Sequence, residues 1–409
     1  MTQIFQATRE NGIAVMDAFV PAMGQRYEDG RNYDLGAGNH TSVSMLSPYI
    51  CRRLITEQEV IAAAVAAHGP DTPSKFIEEV IWRGYFKGWL ERRPQVWNSY
   101  VAGLRSDLQT LDIDRRLRRD VANAEDGQTG LDYFDNWAQE LVTTGYLHNH
   151  ARMWFASIWI FSLGLPWRLG ADFFYRHLLD GDAASNTLGW RWAAGLHTRG
   201  KPYPARAQNI ATFTKGRFAP QRDDLVEVPK ALDTTEPEGL PSVQPVRDIA
   251  AQSPDTATAL LITDHDCMPA DFDLGRFDIC GVATLGCSHL RSPRSVSGAV
   301  IDFENAALAD TAARHGGDVQ QLLAHHPEEL VAWARQTKAS QIFTPFVARG
   351  PLLDWLDKAK PMLAAHDIVL CEQRREWDDT IWPHATAGFF KVRKQIPNIL
   401  AKVGVGSKV

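Results

Sequence analysis

The chain has 409 residues, 44% of them hydrophobic and 22% charged, and a formal net charge of -6. That length exceeds what one hydrophobic core usually organises, so two domains are expected, with the composition of a soluble globular protein. The acidic balance excludes a global case for nucleic-acid binding and leaves only local clusters of Arg and Lys to provide one.

The five cysteines (Cys51, Cys267, Cys280, Cys287, Cys371) form no CxxC pair, which speaks against a zinc ribbon or an iron–sulfur cluster, and no metal is expected. The N-terminus shows no apolar signal core, and the most apolar run, 153–167, is too short to span a bilayer. A cytoplasmic protein without membrane partners or disulfides is expected.

From residue 1 to about 220 the apolar spacing is that of helices. It is clearest at 57–67, 74–90, 131–144 and 148–163. Thr56, Thr72-Pro73 and Gly145 stand where such helices should start or stop. Nine of the 13 tryptophans lie between Trp82 and Trp192. A core built with large aromatics accounts for most of them, and a redox or stacking role would need specific positions.

Residues 223–254 hold Pro229, Pro237, Pro241, Pro245 and Pro254 among acidic and small polar residues, and read as a linker or wrapping segment. Beyond it, short β-like runs at 259–263, 279–284, 341–347 and 368–371 alternate with helical stretches at 319–337 and 352–365. That alternation predicts an α/β domain with a mainly parallel sheet. No GxGxxG follows any of these runs, so a dinucleotide site of that kind is not supported.

Several clusters could carry chemistry. Asp180-Gly181-Asp182 follows a helix expected at 172–179 and precedes Asn186, Trp190 and Trp192. DGD alone is a common turn, but two carboxylates and an amide beside two indoles suit a heteroaromatic ligand with polar edges. Arg152 could pair with one of the carboxylates, and a buried pair would need further hydrogen bonds. Tyr27 and the hydroxyl-rich run 41–48 (TSVSMLSP) precede a helical start; capping is the simpler use, and cradling a pyrophosphate the sharper one.

Glu79, Trp82 and Arg83 share one helical face, as do Asn149, Arg152 and Met153 on another. No acid occurs from 183 to 222, a stretch carrying Arg191, Arg199, Lys201, Arg206, Lys215, Arg217 and Arg222, a local field fit for phosphates. The Arg115, Arg116, Arg118, Arg119 run reads as a solvated helix face.

Together these motifs resemble the photolyase/cryptochrome family. EVIWR at 79–83 resembles its ELIWRE helix, EDGQTG at 125–130 its EGKTG turn, GYLHNHARM at 145–153 its GWMHNxxRM, and DGDAASNTLGWRWAA at 180–194 its DGDxxxNNGGWQWAA. They come in the family's order and spacing.

The resemblance implies an α-helical FAD-binding domain over 1–222, a Pro-rich linker at 223–254 and an α/β domain at 255–400. That last domain resembles a rearranged antenna domain, because 379–397 (DTIWPHATAGFFKVRKQIP) is similar to the end of one. The resemblance leaves open whether an antenna chromophore is bound.

It further implies a bent FAD, reduced in the active form. Tyr27, Ser44, Leu46 and Ser47 would hold its phosphates, and Asp180 and Asp182 its ribose and ring edges. Arg152 would bridge to Asp180, Asn186 would face N5, and Glu79, Arg83 and Asn149 would lie against the same cofactor. Glu79, Trp82, Asn149, Met153 and Trp192 would line a cavity for a flipped pyrimidine dimer in UV-damaged DNA, with Arg191, Arg199 and Lys201 on flanking phosphates.

Glu79 and Asn186 would be catalytic, and Trp190 and Trp167 the inner members of the flavin-reducing relay. The implied chemistry is light-driven electron transfer from reduced FAD that splits a cyclobutane dimer, by a monomer; the competing reading is a blue-light sensor without repair. Asn149 and Met153 are residues of cyclobutane-dimer enzymes, where (6-4) enzymes have histidines.

Departures from the family are Tyr146 for a tryptophan, Gly84 for a glutamate, one hydroxyl fewer in the phosphate motif, and no tryptophan at the outer relay position near Arg115. The relay would then end elsewhere, with Trp159, Tyr146 and Trp154 as candidates.

Overall fold

A computed structural model describes residues 5–405. The chain forms two compact units.

The first unit comprises Gln25–Met45 and Arg93–Val243 and is helical. Its helices are Gln25–Gly30, Pro94–Ile113, Arg115–Glu125, Asp132–Thr144, Asn149–Ser157, Trp167–His177, Ala183–Ala193 and Ala207–Phe213. The helix expected over 148–163 is regular only to Ser157; a single wider turn, Ile158–Ser162, follows, closed by the Leu163 N–H on the Ile158 carbonyl at 2.9 Å. Gly145 ends its helix in the left-handed conformation, as glycine allows without a Cβ clash. The proline-rich run turns back on the helices: the Leu232 N–H donates to the Ala194 carbonyl at 3.0 Å.

Among the described residues, the second unit comprises Phe5–Gly24, Leu46–Arg92 and the chain from Gln244 onward. Its sheet contains β1 (Ala257–Thr263), β2 (Asp278–Gly286), β3 (Gln320–Leu323), β4 (Gln341–Pro345) and β5 (Val369–Gln373), all parallel, in the order β3-β2-β1-β4-β5. Period-2 alternation feeds two cores. Leu261, Ala283 and Ile342 face helices Pro327–Gln336 and Pro351–Ala364, while Leu260, Ile262 and Phe343 face the side of Gly298–His315. β3 lies inside a stretch expected to be helical from 319, and that helix begins only at Pro327.

The unit limits differ from the expected domain limits at 222 and 255, because 5–24 and 46–92 pack with the sheet. Arg53 explains much of this. Its guanidinium donates to Asp378 at 2.8 and 2.9 Å and to Asp266 and Glu57 at 3.3 Å. A buried cation needs its carboxylates nearby, and two of these three come from beyond residue 260. Among the described residues no helix is long and apolar enough to cross a membrane.

Candidate functional site

In the first unit, helix Ala183–Ala193 begins straight after the DGD turn. Asp182 is its N-cap and accepts from the Ser185 N–H at 2.8 Å, the common use of an aspartate there. Asp180 is buried, and Arg152 Nη2 donates to its Oδ2 at 2.9 Å. Arg152 Nε also donates to the Leu147 carbonyl at 2.8 Å, so the guanidinium is fixed at two points.

Asn186 Nδ2 donates to the Ala171 carbonyl at 2.8 Å, which sets the way its amide faces. On the same helical face a Cβ at Gly189 would meet no atom within 4 Å, so this face opens on space. Carboxylate, guanidinium and amide edges around an open helical face fit a flavin.

Tyr27 is buried in Gln25–Gly30. Met45 has φ 53°, a left-handed turn that is strained for a residue with a side chain, and it separates Ser44 from Leu46. The following helix has Leu46 as its N-cap, whose own side chain makes no capping bond, and Pro48 at its start needs no N–H partner.

Asn149 is exposed, and Met153 and Trp192 are half-buried, Trp192 lying against Tyr203 with centroids 5.0 Å apart. His148 and His150 flank Asn149 but are buried. Burial holds His148 down at about 3 and lowers His150, so both rings are neutral at neutral pH.

Seven of the nine central tryptophans are buried, the core role expected of most; the exceptions are Trp82 and Trp192. Trp190 meets Phe174 at 5.1 Å and Trp159 at 6.2 Å. Trp167 lies 5.9 Å from Tyr100, itself 5.4 Å from Trp97. Sequence reading missed this aromatic continuation; the i,i+3 spacing of Trp97 and Tyr100 was its signal. Arg115 is exposed, far from any core role.

The basic stretch needs correction. Arg191 is buried and clamped by Glu236, at 2.6 and 2.7 Å, so it cannot grip a solvent-side phosphate. Arg199 donates to the Glu236 and Asp233 carbonyls at 2.9 and 3.0 Å, and Arg222 pairs with Glu227 at 3.2 Å. Acids of the proline-rich run thus answer cations of the acid-free run. Lys201 and Arg206 stay exposed. A cleft of about 410 Å³, lined by Gly36, Asn39, Asn136, Gln139, Thr143 and Arg217, contains none of the residues expected to hold the cofactor or the flipped base.

In the second unit, Glu79, Trp82 and Arg83 are half-buried on helix Ser74–Glu91. Arg83 Nη2 reaches the Ser47 carbonyl at 3.5 Å. Trp82 stacks on Phe389, centroids 3.8 Å apart and planes 13° from parallel. Phe389 was not singled out from sequence, though it lies in the GFFKVRK run.

At the carboxyl edge of the sheet Asp264, His265 and Cys287 offer ligand atoms within 4.8 Å of one another. Arg52 stands 3.5 Å and Arg291 4.0 Å from the Asp264 carboxylate. The Cys287 thiol donates to it at 3.3 Å and is pushed well up by burial. That carboxylate is already answered by two guanidiniums, so a cation there would meet their repulsion.

Residues 76–222 match the model of the FAD-binding domain of DNA photolyase. Over these residues the chain is similar to the photolyase/cryptochrome family. FAD is the cofactor of that domain.

The chain is 30% identical over 237 residues to a deoxyribodipyrimidine photo-lyase from Streptomyces griseus, covering 55% of this chain and 49% of the relative. It is 32% identical over 202 residues to one from Thermus thermophilus, covering 47% and 44%. It thus spans about half the length of these relatives. The structure of a bacterial class III photolyase from Agrobacterium tumefaciens aligns with a TM-score of 0.41 at 26% identity, over 51% of this chain and 42% of that one.

Proposed function

We propose that this protein repairs UV-damaged DNA in the light, acting on cyclobutane pyrimidine dimers. The single observation that carries the reading is the Arg152–Asp180 bridge at 2.9 Å, beside Asp182 and the fixed amide of Asn186. It combines a buried carboxylate, a held guanidinium and an oriented amide within the segment that matches the FAD-binding domain.

FAD, when bound, supplies the light-driven one-electron chemistry that opens the dimer. The chain's part is to bind, orient and exclude water. Asp180 and Asp182 accept from cofactor hydroxyl and N–H edges, with Arg152 holding the Asp180 carboxylate in place. Asn186 presents an amide whose direction the Ala171 carbonyl sets. Ser44 and Ser47, on either side of the strained Met45 turn, offer hydroxyls to phosphates. Trp82, half-buried in the second unit, keeps a part-exposed indole face on which a flipped base stacks. Asn149 and Met153, in place of histidines, favour the cyclobutane lesion.

The purified protein should be yellow. Illuminated after reduction, it should restore intact thymines in an oligonucleotide carrying one dimer. A colourless protein that stays so after incubation with FAD would sink the reading; a flavoprotein that binds the oligonucleotide but never repairs it would turn it into a sensor.

A further inference from the structure

We infer that the C-terminal segment around Phe389–Lys394 is a DNA-contact element, gripping the strand that flanks a lesion held at Trp82. The inference rests on the repair reading above and adds a surface to it.

Three observations carry it. Phe389 covers one face of Trp82 at 3.8 Å, and Tyr85 anchors the approach by donating its hydroxyl to the Ala387 carbonyl at 3.0 Å. The segment is therefore pinned beside Trp82. Next to it Phe390 is 72% exposed, one of the few large apolar side chains so placed. Burying it would be favourable, and none of the described residues of its own unit does so. Finally, no acid occurs between Asp379 and Val405, while Lys391, Arg393, Lys394 and Lys402 do.

Arg393 is paired with Glu78 at 2.6 Å and Lys391 donates to the Thr386 hydroxyl at 2.7 Å, but Lys391, Lys394 and Lys402 are all solvent-exposed. An exposed aromatic among lysines is the pairing that binds a nucleic-acid strand, the ring by stacking on a base and the ammoniums by replacing counterions on phosphates. On a chain of net charge -6 the patch is a local basic field. With one face of Trp82 taken by Phe389, a flipped base can use only the opposite face, and the adjoining strand is led past Phe390.

The test uses the flavin-loaded full chain and fluorescence anisotropy with two oligonucleotides of one sequence, with and without a cyclobutane thymine dimer, over a salt series. Phe390→Ala should weaken binding to both by about tenfold, as loss of one stacked base does. The double variant Lys391→Glu, Lys394→Glu should lower the slope of log K against log salt by about two. Flavin content should stay as in the parent, since neither site touches the cofactor residues.

If the parent binds the damaged strand while both variants keep its affinity and its slope, the inference is overturned. A parent that binds neither strand overturns the repair reading itself. If Phe390→Ala leaves DNA binding intact but abolishes a self-association seen by sedimentation, the patch belongs to a second copy of the chain and the inference fails.

Discussion

Arg191 and Glu236 form a two-point clamp, Nη1 to Oε1 at 2.6 Å and Nη2 to Oε2 at 2.7 Å, with the guanidinium 2% exposed. It ties the proline-rich run to helix Ala183–Ala193, the helix that carries Asn186. Removing the carboxylate leaves a buried cation without its partner, which costs about 3–5 kcal/mol. Glu236→Ala should therefore lower the urea midpoint of the first unit strongly, whereas Lys201→Ala, at an exposed position, should change the unfolding free energy by no more than about 0.5 kcal/mol. Equal midpoints for the two variants would contradict the clamp.

Asp180→Asn tests the flavin reading directly. The pair with Arg152 is largely shielded, the Asp180 side chain being 4% exposed, and a hydrogen bond to a charged group is worth about 1.5–3 kcal/mol. FAD affinity should fall roughly tenfold or more, read as the ratio of flavin to protein absorbance after gel filtration. Lys201→Ala, on an exposed residue, should keep its flavin.

What the sequence made legible was what repeats or alternates. The parallel strands read as short apolar runs because both faces are buried, Leu260 and Leu261 alternating between two cores. β3 escaped because only one of its four residues points inward, too few to show a period. The Arg152–Asp180 bridge was legible because both ends lie in recognisable motifs. The fate of Arg191 was not: an acid-free run looks basic until Glu236, 45 residues on, folds back onto it. Nor was the placing of 46–92 with the sheet, since Arg53 finds Asp266 and Asp378 across more than 200 residues of sequence.

His148 gives a prediction in pH. The ring is wholly buried, stacked near His40 with centroids 5.9 Å apart, and burial above all lowers its pKa from 6.5 to about 3. The unfolded ring is protonated below about 6.5, the folded one only below about 3. Between those values the unfolded chain binds one more proton, so stability falls as pH drops, by at most ~1.4 kcal/mol per unit. His148 also caps its helix, accepting from the His150 N–H at 3.1 Å, and asparagine can take over that cap. His148→Asn should therefore flatten the fall in stability between pH 6 and 4, roughly, measured by urea unfolding. An unchanged slope would mean the ring is protonated in the folded protein.

Gly84 stands where the family has a glutamate, and the reason lies in its neighbours. Gly84 and Gly88 are one turn apart on helix Ser74–Glu91 and face the segment from Trp377 to Trp382. A Cβ at Gly84 would lie 3.0 Å from the Ile381 Cδ1, the end of a flexible side chain. One at Gly88 would lie 2.6 Å from the Trp382 ring and 3.0 Å from its Cα, neither of which can yield cheaply. Overpacking of that kind costs about 1–3 kcal/mol, while glycine to alanine in a helix returns about 1 kcal/mol. Gly84→Ala should thus be near neutral in thermal unfolding and Gly88→Ala clearly destabilising. The Trp82–Phe389 stack should loosen with it, since Phe389 follows Trp382 by only seven residues, and a rise in the accessibility of Phe389 to hydroxyl-radical labelling would report that loosening. If Gly88→Ala melts with the parent, the helix does not need this close approach to Trp382.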